Sequence, residues 1–134
     1  MGYSVELSTV SAGVMFEAVA TGDQDFMTTA WLPYTHKSYW EARKNNLDRI
    51  GTLYEGAVLA IVVPDYVTID SLAEMKDHAG EFGSRIVGID PGAGIMEATK
   101  NVLMPNYGLG DWELSESSEA AMIAELERSI NNQE

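Results

Sequence analysis

The segment Ala30-Trp31-Leu32-Pro33-Tyr34-Thr35-His36 follows a short run, Asp25–Thr29, whose composition is typical of a β-strand. Pro33 is expected to fix a turn and to begin a helix that continues to Asn46. Trp31 would then lie where a parallel strand ends, which is the edge of an open α/β sheet where ligands bind. The alternative for Trp31 is burial in the core against that sheet.

Aromatic side chains are concentrated in this segment. Two tryptophans, two tyrosines and a histidine lie within residues 31–40. Such a density at a strand end indicates that a flat or cationic group is bound there. The candidate ligand-binding residues of this segment are Trp31, Tyr34 and His36. The alternative for Tyr39 and Trp40 is packing on the sheet, and for His36 a surface position.

Strand and helix patterns alternate along the rest of the chain, which predicts an α/β fold with parallel-rich sheets flanked by helices. Capping and periodicity predict four further helices, one opened by each of Ser11, Ser71 and Ser117 or Ser118, and one that follows Ile89. Strands are predicted at Tyr3–Val10, Asp25–Leu32, Ile50–Tyr54, Ala57–Val63, Arg85–Ile89 and Trp112–Ser115.

The longest apolar run is Ala57–Val63, closed by Pro64. It is short and rich in β-branched residues, so it predicts a strand that is buried on both faces. A strand of this kind can pass from one lobe of a protein to another. We therefore predict part of a first lobe at residues 1–56, a crossover strand at 57–64 and part of a second lobe at 65–134.

Composition excludes several classes of protein. The 134 residues carry 21 acids against 8 bases, a formal charge of −13, which argues against nucleic acid and anionic membranes as partners. The chain has no cysteine, so thiolate chemistry and cysteine-based zinc sites are excluded. No apolar run approaches the length of a membrane span, and the first five residues do not have the pattern of a signal peptide.

A second candidate site is the turn Asp90-Pro91-Gly92-Ala93-Gly94, which follows a predicted strand and opens a helix. Backbone amides at such a position can bind an anion, so Asp90, Gly92 and Gly94 are candidate ligand-binding residues. The turn lacks the G-x-G-x-x-G spacing, because residue 97 is glutamate, and it has no phosphate-binding lysine. A strand-to-helix turn that needs glycine is the alternative.

Catalytic and metal-binding patterns are missing from the sequence. The two histidines, His36 and His78, are 42 residues apart, and neither has neighbouring ligands at metal spacing. No nucleophile, base and acid occur in a catalytic arrangement. We predict a protein that is not an enzyme and needs no cofactor or metal; an α/β enzyme domain that uses Asp90–Gly94 for a phosphorylated substrate stays as the alternative.

Taken together, these residues resemble the substrate-binding subunits of ABC transporters for glycine betaine, proline betaine and choline-type ligands. Four ordered blocks carry the resemblance, and Trp112, Ser117 and Ser118 also match it. The blocks are Val14–Asp23, Ala30–His36, Leu59–Tyr66 and Gly88–Ile95.

The resemblance implies a type II periplasmic-binding-protein fold, whose two lobes close on a ligand outside the cytoplasmic membrane and deliver it to a membrane permease. It also implies that aromatic faces hold the quaternary ammonium by cation–π attraction, while backbone amides and a histidine hold the carboxylate. Trp31 matches a cage tryptophan of this family, and His36 matches a family histidine.

This chain is short for such a protein, so an incomplete bilobed fold is expected. A single aromatic face contributes roughly 0.5–2 kcal/mol, far less than a micromolar affinity of about 8 kcal/mol requires. We therefore expect weak or no ligand binding by this chain, or a structural fragment without activity of its own. Open sheet edges would favour self-association, including a segment-swapped dimer.

Overall fold

The structure is a computed structural model that describes residues 2–133. The chain divides into two compact units, Met1–Leu53 and Tyr54–Glu134. The lobe boundaries proposed from the sequence, residues 1–56, 57–64 and 65–134, stay a prediction.

The first unit contains two α-helices, α1 (Ala12–Thr21) and α2 (Lys37–Arg43), and a 3-10 turn, Lys44–Asn46, continues α2. Gly22 ends α1 as predicted, because its φ of 83° is left-handed and its N–H donates to the Val19 carbonyl. α2 begins four residues later than predicted.

The late start of α2 is a correction to the expected role of Pro33. The Leu32–Pro33 peptide bond is cis, and residues 32–36 form turns instead of a first helical turn. His36 is the N-cap position of α2, and its carbonyl accepts the N–H of Trp40 at 3.0 Å. The proline therefore shapes a turn that leads into the helix and does not open the helix itself.

Helices α1 and α2 pack through one aromatic contact and one ion pair. Phe16 of α1 is fully buried and stacks on Tyr39 of α2 with 5.7 Å between ring centroids. Gly13 lies beside the same ring, since a Cβ there would be 3.4 Å from Tyr39 Cε1. Arg43 Nε donates to Glu17 Oε2 at 2.6 Å, which joins the two helices at the surface.

The second unit is built on a two-stranded parallel sheet of β1 (Arg85–Val87) and β2 (Glu113–Ser115). A 3-10 helix, Leu72–His78, precedes the sheet, where the sequence predicted a helix of unspecified type. A helical stretch connects the two strands. It comprises α3 (Gly94–Ala98), a π-helical segment (Thr99–Leu103) and α4 (Met104–Asn106), and the second unit ends with α5 (Glu119–Asn132).

The π-helical segment sets which residues of this helical stretch face the core. The Met104 N–H donates to the carbonyl of Thr99, five residues earlier, so the turn between them is wider than an α-helical turn. Thr99 and Met104 are both buried. In a regular α-helix, residues five apart point in different directions, and the wide turn is what brings both to the buried face.

The core of the second unit surrounds the sheet. Leu109 is fully buried, and Trp112 packs against Phe82 with 5.9 Å between ring centroids. The partly buried Ile61 also contacts this cluster. The buried members of the cluster are Met75, Ile86, Met104, Leu109 and Trp112.

Polar contacts attach α5 to the second unit. Ser118 caps the helix as predicted, with its Oγ accepting the N–H of Ala121 at 3.2 Å. Arg85 of β1 donates to Glu125 at 2.6 Å. The guanidinium groups of Arg128 and Arg85 lower the pKa of Glu125 to about 2, so this carboxylate stays ionised at ordinary pH.

Four of the six predicted strands are wrong. Among residues 2–133 only β1 and β2 pair, and the run Ala57–Val63 has exposed side chains instead of two buried faces, with Val58 79% and Val62 69% exposed. A suitable pattern of apolar residues is not enough to form a strand, because the backbone N–H and C=O groups also need hydrogen-bond partners on a neighbouring strand. The other three predicted strands without pairing are Tyr3–Val10, Asp25–Leu32 and Ile50–Tyr54.

Across the described part of the chain, every helix is too short or too polar to cross a bilayer.

Candidate functional site

The predicted residues Trp31, Tyr34 and His36 belong to one closed turn, which we call the Trp31 turn (residues 31–36). The His36 N–H donates to the Trp31 carbonyl at 2.9 Å, and the Trp31 N–H donates to His36 Nδ1 at 3.1 Å. Trp31 is 38% exposed and Tyr34 is 86% exposed. The turn therefore presents two aromatic side chains to solvent on a backbone that is fixed at both ends.

The indole of Trp31 is accessible to a ligand. It is neither enclosed in the core nor stacked on another aromatic ring of the described residues. An indole face of this kind offers the strongest cation–π surface among the aromatic side chains. The alternative from the sequence, a core position for this tryptophan, is wrong.

The imidazole of His36 lies against the contact between α1 and α2. Its ring meets the Phe16 ring edge-on, with 5.6 Å between centroids, and the Tyr39 ring at 6.1 Å. This partial burial lowers the pKa of His36, because a charged imidazolium loses hydration there. A neutral ring that accepts a hydrogen bond at Nδ1 carries its proton on Nε2.

Phe16 is the residue of this site that the sequence analysis missed. It was not among the candidate site residues of the sequence, and in the structure it is the one residue of α1 that is fully buried. The sequence offered one signal for Phe16. It lies three residues after Gly13, on the same face of α1, and Gly13 leaves space for the Tyr39 ring.

In the second unit, the turn that contains Asp90, Gly92 and Gly94 is organised around the aspartate. Asp90 Oδ1 accepts the N–H of Gly92 at 2.9 Å, and the Asp90 carbonyl accepts the N–H of Ala93 at 2.9 Å. A carboxylate thus occupies one of the backbone donors that an anion would need, and its charge repels an anion. This geometry does not favour a phosphorylated substrate.

The carboxyl ends of β1 and β2 meet beside this turn. The Gly88 N–H donates to the Ser115 carbonyl at 2.8 Å, and the Ser117 N–H donates to the Ile89 carbonyl at 3.1 Å. A Cβ at Gly88 would overlap Met96 Sδ, so a side chain at this position would require Met96 to move. Gly94, which begins α3, is buried.

Trp112 matched the family pattern in the sequence, but it is a core residue that is only 8% exposed. It forms part of the wall of a groove of about 400 Å³ in the second unit. The helical stretch supplies three of the seven lining residues and β2 supplies one, and the sequence analysis did not predict this groove. The lining residues are Lys100, Met104, Pro105, Gly110, Trp112, Leu114 and Glu116.

The six predicted site residues are divided between the two units. Trp31, Tyr34 and His36 are brought together in the first, and Asp90, Gly92 and Gly94 in the second. Within residues 2–133, no group of three or more histidine or acidic side chains has a geometry suited to a metal ion.

The sequence of this chain matches one known protein family over its whole given length. Residues 1–134 match the family described as the substrate-binding domain of the ABC-type glycine betaine transport system. Among curated proteins, the chain is 32% identical over 77 residues to the glycine betaine/carnitine transport binding protein GbuC of Listeria monocytogenes, covering 57% of this chain and 26% of that protein. It is also 28% identical over 96 residues to an uncharacterized protein, ORF1, of Chromohalobacter salexigens, covering 69% and 62%.

Two solved structures are similar to the described fold, each with a TM-score of 0.89. One is the glycine/betaine/L-proline-binding protein ProX from Borrelia burgdorferi, at 36% identity over 99% of this chain and 50% of that one. The other is lactococcal OpuAC in its closed-liganded conformation with glycine betaine, at 34% identity over 99% and 51%.

These similarities confirm the predicted fold class, the type II periplasmic-binding-protein fold. This chain spans about half the length of the two solved relatives. The family and the solved relatives are binding proteins of transport systems, and binding proteins of ABC importers act outside the cytoplasm.

Proposed function

Because this chain belongs to the family of substrate-binding domains of ABC-type glycine betaine transport systems, we propose that it contributes to binding a quaternary ammonium osmolyte for an ABC importer. It acts outside the cytoplasm, its protein partner is the membrane permease, and it catalyses no reaction. The ligand class is that of its relatives, whose names specify glycine betaine.

The observation that carries this proposal is the exposed indole of Trp31 on a turn whose backbone is fixed. A trimethylammonium group has no N–H to donate, so it is bound through attraction to aromatic faces. Trp31 is the residue we propose for the cation. Tyr34 is exposed on the same turn and is a second aromatic face for the same ligand.

The other candidates form a separate candidate position in the second unit. Asp90, Gly92 and Gly94 lie where a strand leads into a helix, the part of an α/β fold that binds small molecules in many proteins. The acidic charge of −13 favours a ligand with a cationic group over an anion. A phosphorylated substrate would face the carboxylate of Asp90.

A binding experiment on this chain tests the proposal. The backbone N–H signal of Tyr34, which every Trp31 variant keeps, is followed by NMR while glycine betaine is added to millimolar concentrations. We expect a saturable shift, and we expect Trp31→Ala to weaken binding roughly 2- to 30-fold, the equivalent of one aromatic face. Trp31→Phe retains part of the affinity, because it keeps a smaller aromatic face.

The controls separate the proposal from its alternatives. Phe26→Ala removes a 57% exposed aromatic ring of the same unit and is expected to leave the affinity unchanged. Choline shares the trimethylammonium group and should shift the same signal. A response to a nucleotide but not to glycine betaine would replace the binding-protein function with the enzyme alternative.

We also propose that this chain associates with a second copy of itself through the apolar run Ala57–Val63. Its support is the exposure of Val58 and Val62 on a segment with no strand pairing among the described residues. Light scattering after size exclusion is expected to give a mass above that of the monomer at high concentration. Val62→Lys should restore the monomer, whereas Val102→Lys, at a 57% exposed helical position, should not. A monomer at every concentration would exclude this association.

A further inference from the structure

The backbone of Trp31 is held by a single residue. Its carbonyl accepts the His36 N–H at 2.9 Å, and its N–H donates to the His36 side chain at Nδ1, 3.1 Å away. In the part of the chain that the structure describes, no other hydrogen bond to the Trp31 backbone is present. The position of this exposed tryptophan therefore depends on where the imidazole lies.

The imidazole is in turn fixed by its packing. Phe16 meets it edge-on, with 5.6 Å between ring centroids, and Phe16 itself is fully buried. Tyr39 of α2 is the second ring against it. The contacts form a continuous path from a buried residue of α1, through the imidazole, to the peptide groups of Trp31.

We propose that His36 is a positioning residue for Trp31, which it holds through the Nδ1 hydrogen bond. This role rests on the proposed function, because the position of Trp31 matters for binding only if its indole contacts a cationic ligand. It adds to the role expected from the sequence, in which His36 itself contacts the ligand, because the bond from Trp31 uses Nδ1 and not Nε2. The Nδ1 atom is already used by the Trp31 N–H.

The charged and titratable groups around the imidazole are few, which makes its protonation a clean probe. The titratable Tyr39 comes from α2; α1 contributes the uncharged Phe16, and the neighbouring Glu17 is paired with Arg43. Burial lowers the pKa of His36, so the folded state favours the neutral ring. The contribution of the neutral ring is complete above pH of about 6.5 and is lost as the pH falls through the lower pKa of the folded state.

Amide hydrogen exchange measures the proposed bond directly and needs no ligand. The rate at the Trp31 N–H is compared with that at the Trp40 N–H, which donates to the His36 carbonyl and reports whether α2 is intact. His36→Leu removes the acceptor and is expected to accelerate exchange at Trp31 about tenfold, the loss of one hydrogen bond. His36→Asn keeps an oxygen near the Nδ1 position and should restore most of the protection.

The unmodified chain gives a second measurement if the variants do not fold. NMR of the imidazole nitrogens is expected to show an unprotonated Nδ1 and a protonated Nε2 at neutral pH. Protection of the Trp31 N–H relative to Trp40 should then be lost as the pH falls through the lowered pKa of His36, where the ring gains its second proton. A protonated Nδ1 at neutral pH, or unchanged exchange in His36→Leu, would overturn the positioning role.

The same variants distinguish this inference from the proposed function. His36→Leu is expected to weaken the response to glycine betaine and His36→Asn to restore it. If glycine betaine produces no response but the exchange results hold, the proposed function fails and His36 still positions Trp31. If His36→Leu accelerates exchange yet binds glycine betaine as tightly as the unmodified chain, the positioning role in binding is wrong.

Discussion

Replacement of Phe16 by alanine is expected to lower the free energy of unfolding of the first unit by about 3–5 kcal/mol. Phe16 is fully buried and contacts the rings of both His36 and Tyr39. Removing it leaves a cavity between α1 and α2, and no other residue of α1 is fully buried to compensate for it. Urea unfolding, followed by the fluorescence of Trp31 and Trp40, measures the change.

The matched control for this prediction is Phe26→Ala. Phe26 belongs to the same unit but is 57% exposed, so its loss should change the free energy of unfolding by less than about 0.5 kcal/mol. Equal effects of the two replacements would show that the α1–α2 contact is not the core of this unit. The Phe16 variant should also lose protection at the Trp31 N–H, because the imidazole loses its support.

The second large effect is expected for Leu109→Ala in the other unit. Leu109 is fully buried and belongs to the cluster around Trp112 and Met104. Truncation of a buried leucine typically costs about 2–5 kcal/mol, through lost transfer free energy and the cavity that remains. The fluorescence of Trp112 in urea reports the unfolding of this cluster.

Leu53→Ala removes the same atoms from a side chain that is 80% exposed, and it should be almost neutral. If Leu109→Ala is as well tolerated as this control, then the cluster around Trp112 does not determine the stability of the second unit. Increased flexibility at β1 and β2, measured by amide exchange, would accompany the predicted loss.

Local signals in the sequence were sufficient where one segment determines its own structure. Gly22 ends α1 and Ser118 opens α5, because a glycine with positive φ and a serine oxygen satisfy helix ends without distant residues. The strands β1 and β2 were also predicted, although the structure makes each three residues long.

The predictions failed where structure depends on distant partners. The run Ala57–Val63 has the composition of a buried strand, yet pairing requires other strands, and none pairs with it among residues 2–133. Periodicity cannot supply that information, because it describes one segment at a time. The predicted α-helical start at Pro33 failed for a different, local reason: the Trp31 N–H donates to the side chain of His36, which closes a turn in place of the first helical turn.

The candidate site was predictable in its residue types but not in its contacts. The density of aromatic residues indicated Trp31 and Tyr34 as candidate binding residues; both are exposed, and their role in binding stays a prediction. The hydrogen bond from Trp31 to His36 lies within one turn, but the buried ring of Phe16 that contacts His36 comes from α1, a separate segment. No pattern within a single segment could indicate that these residues meet.

Because the turn between Thr99 and Met104 is wide, the number of residues in this segment determines how the helical stretch of the second unit packs. Each residue of an α-helix advances the direction of its side chain by roughly 100°. Loss of one residue from Thr99–Leu103 would return this stretch to regular α-helical geometry without changing its hydrophobicity. The number of residues between the two buried positions therefore matters more than their identity. It keeps the side chains at both ends of the helical stretch on the buried face.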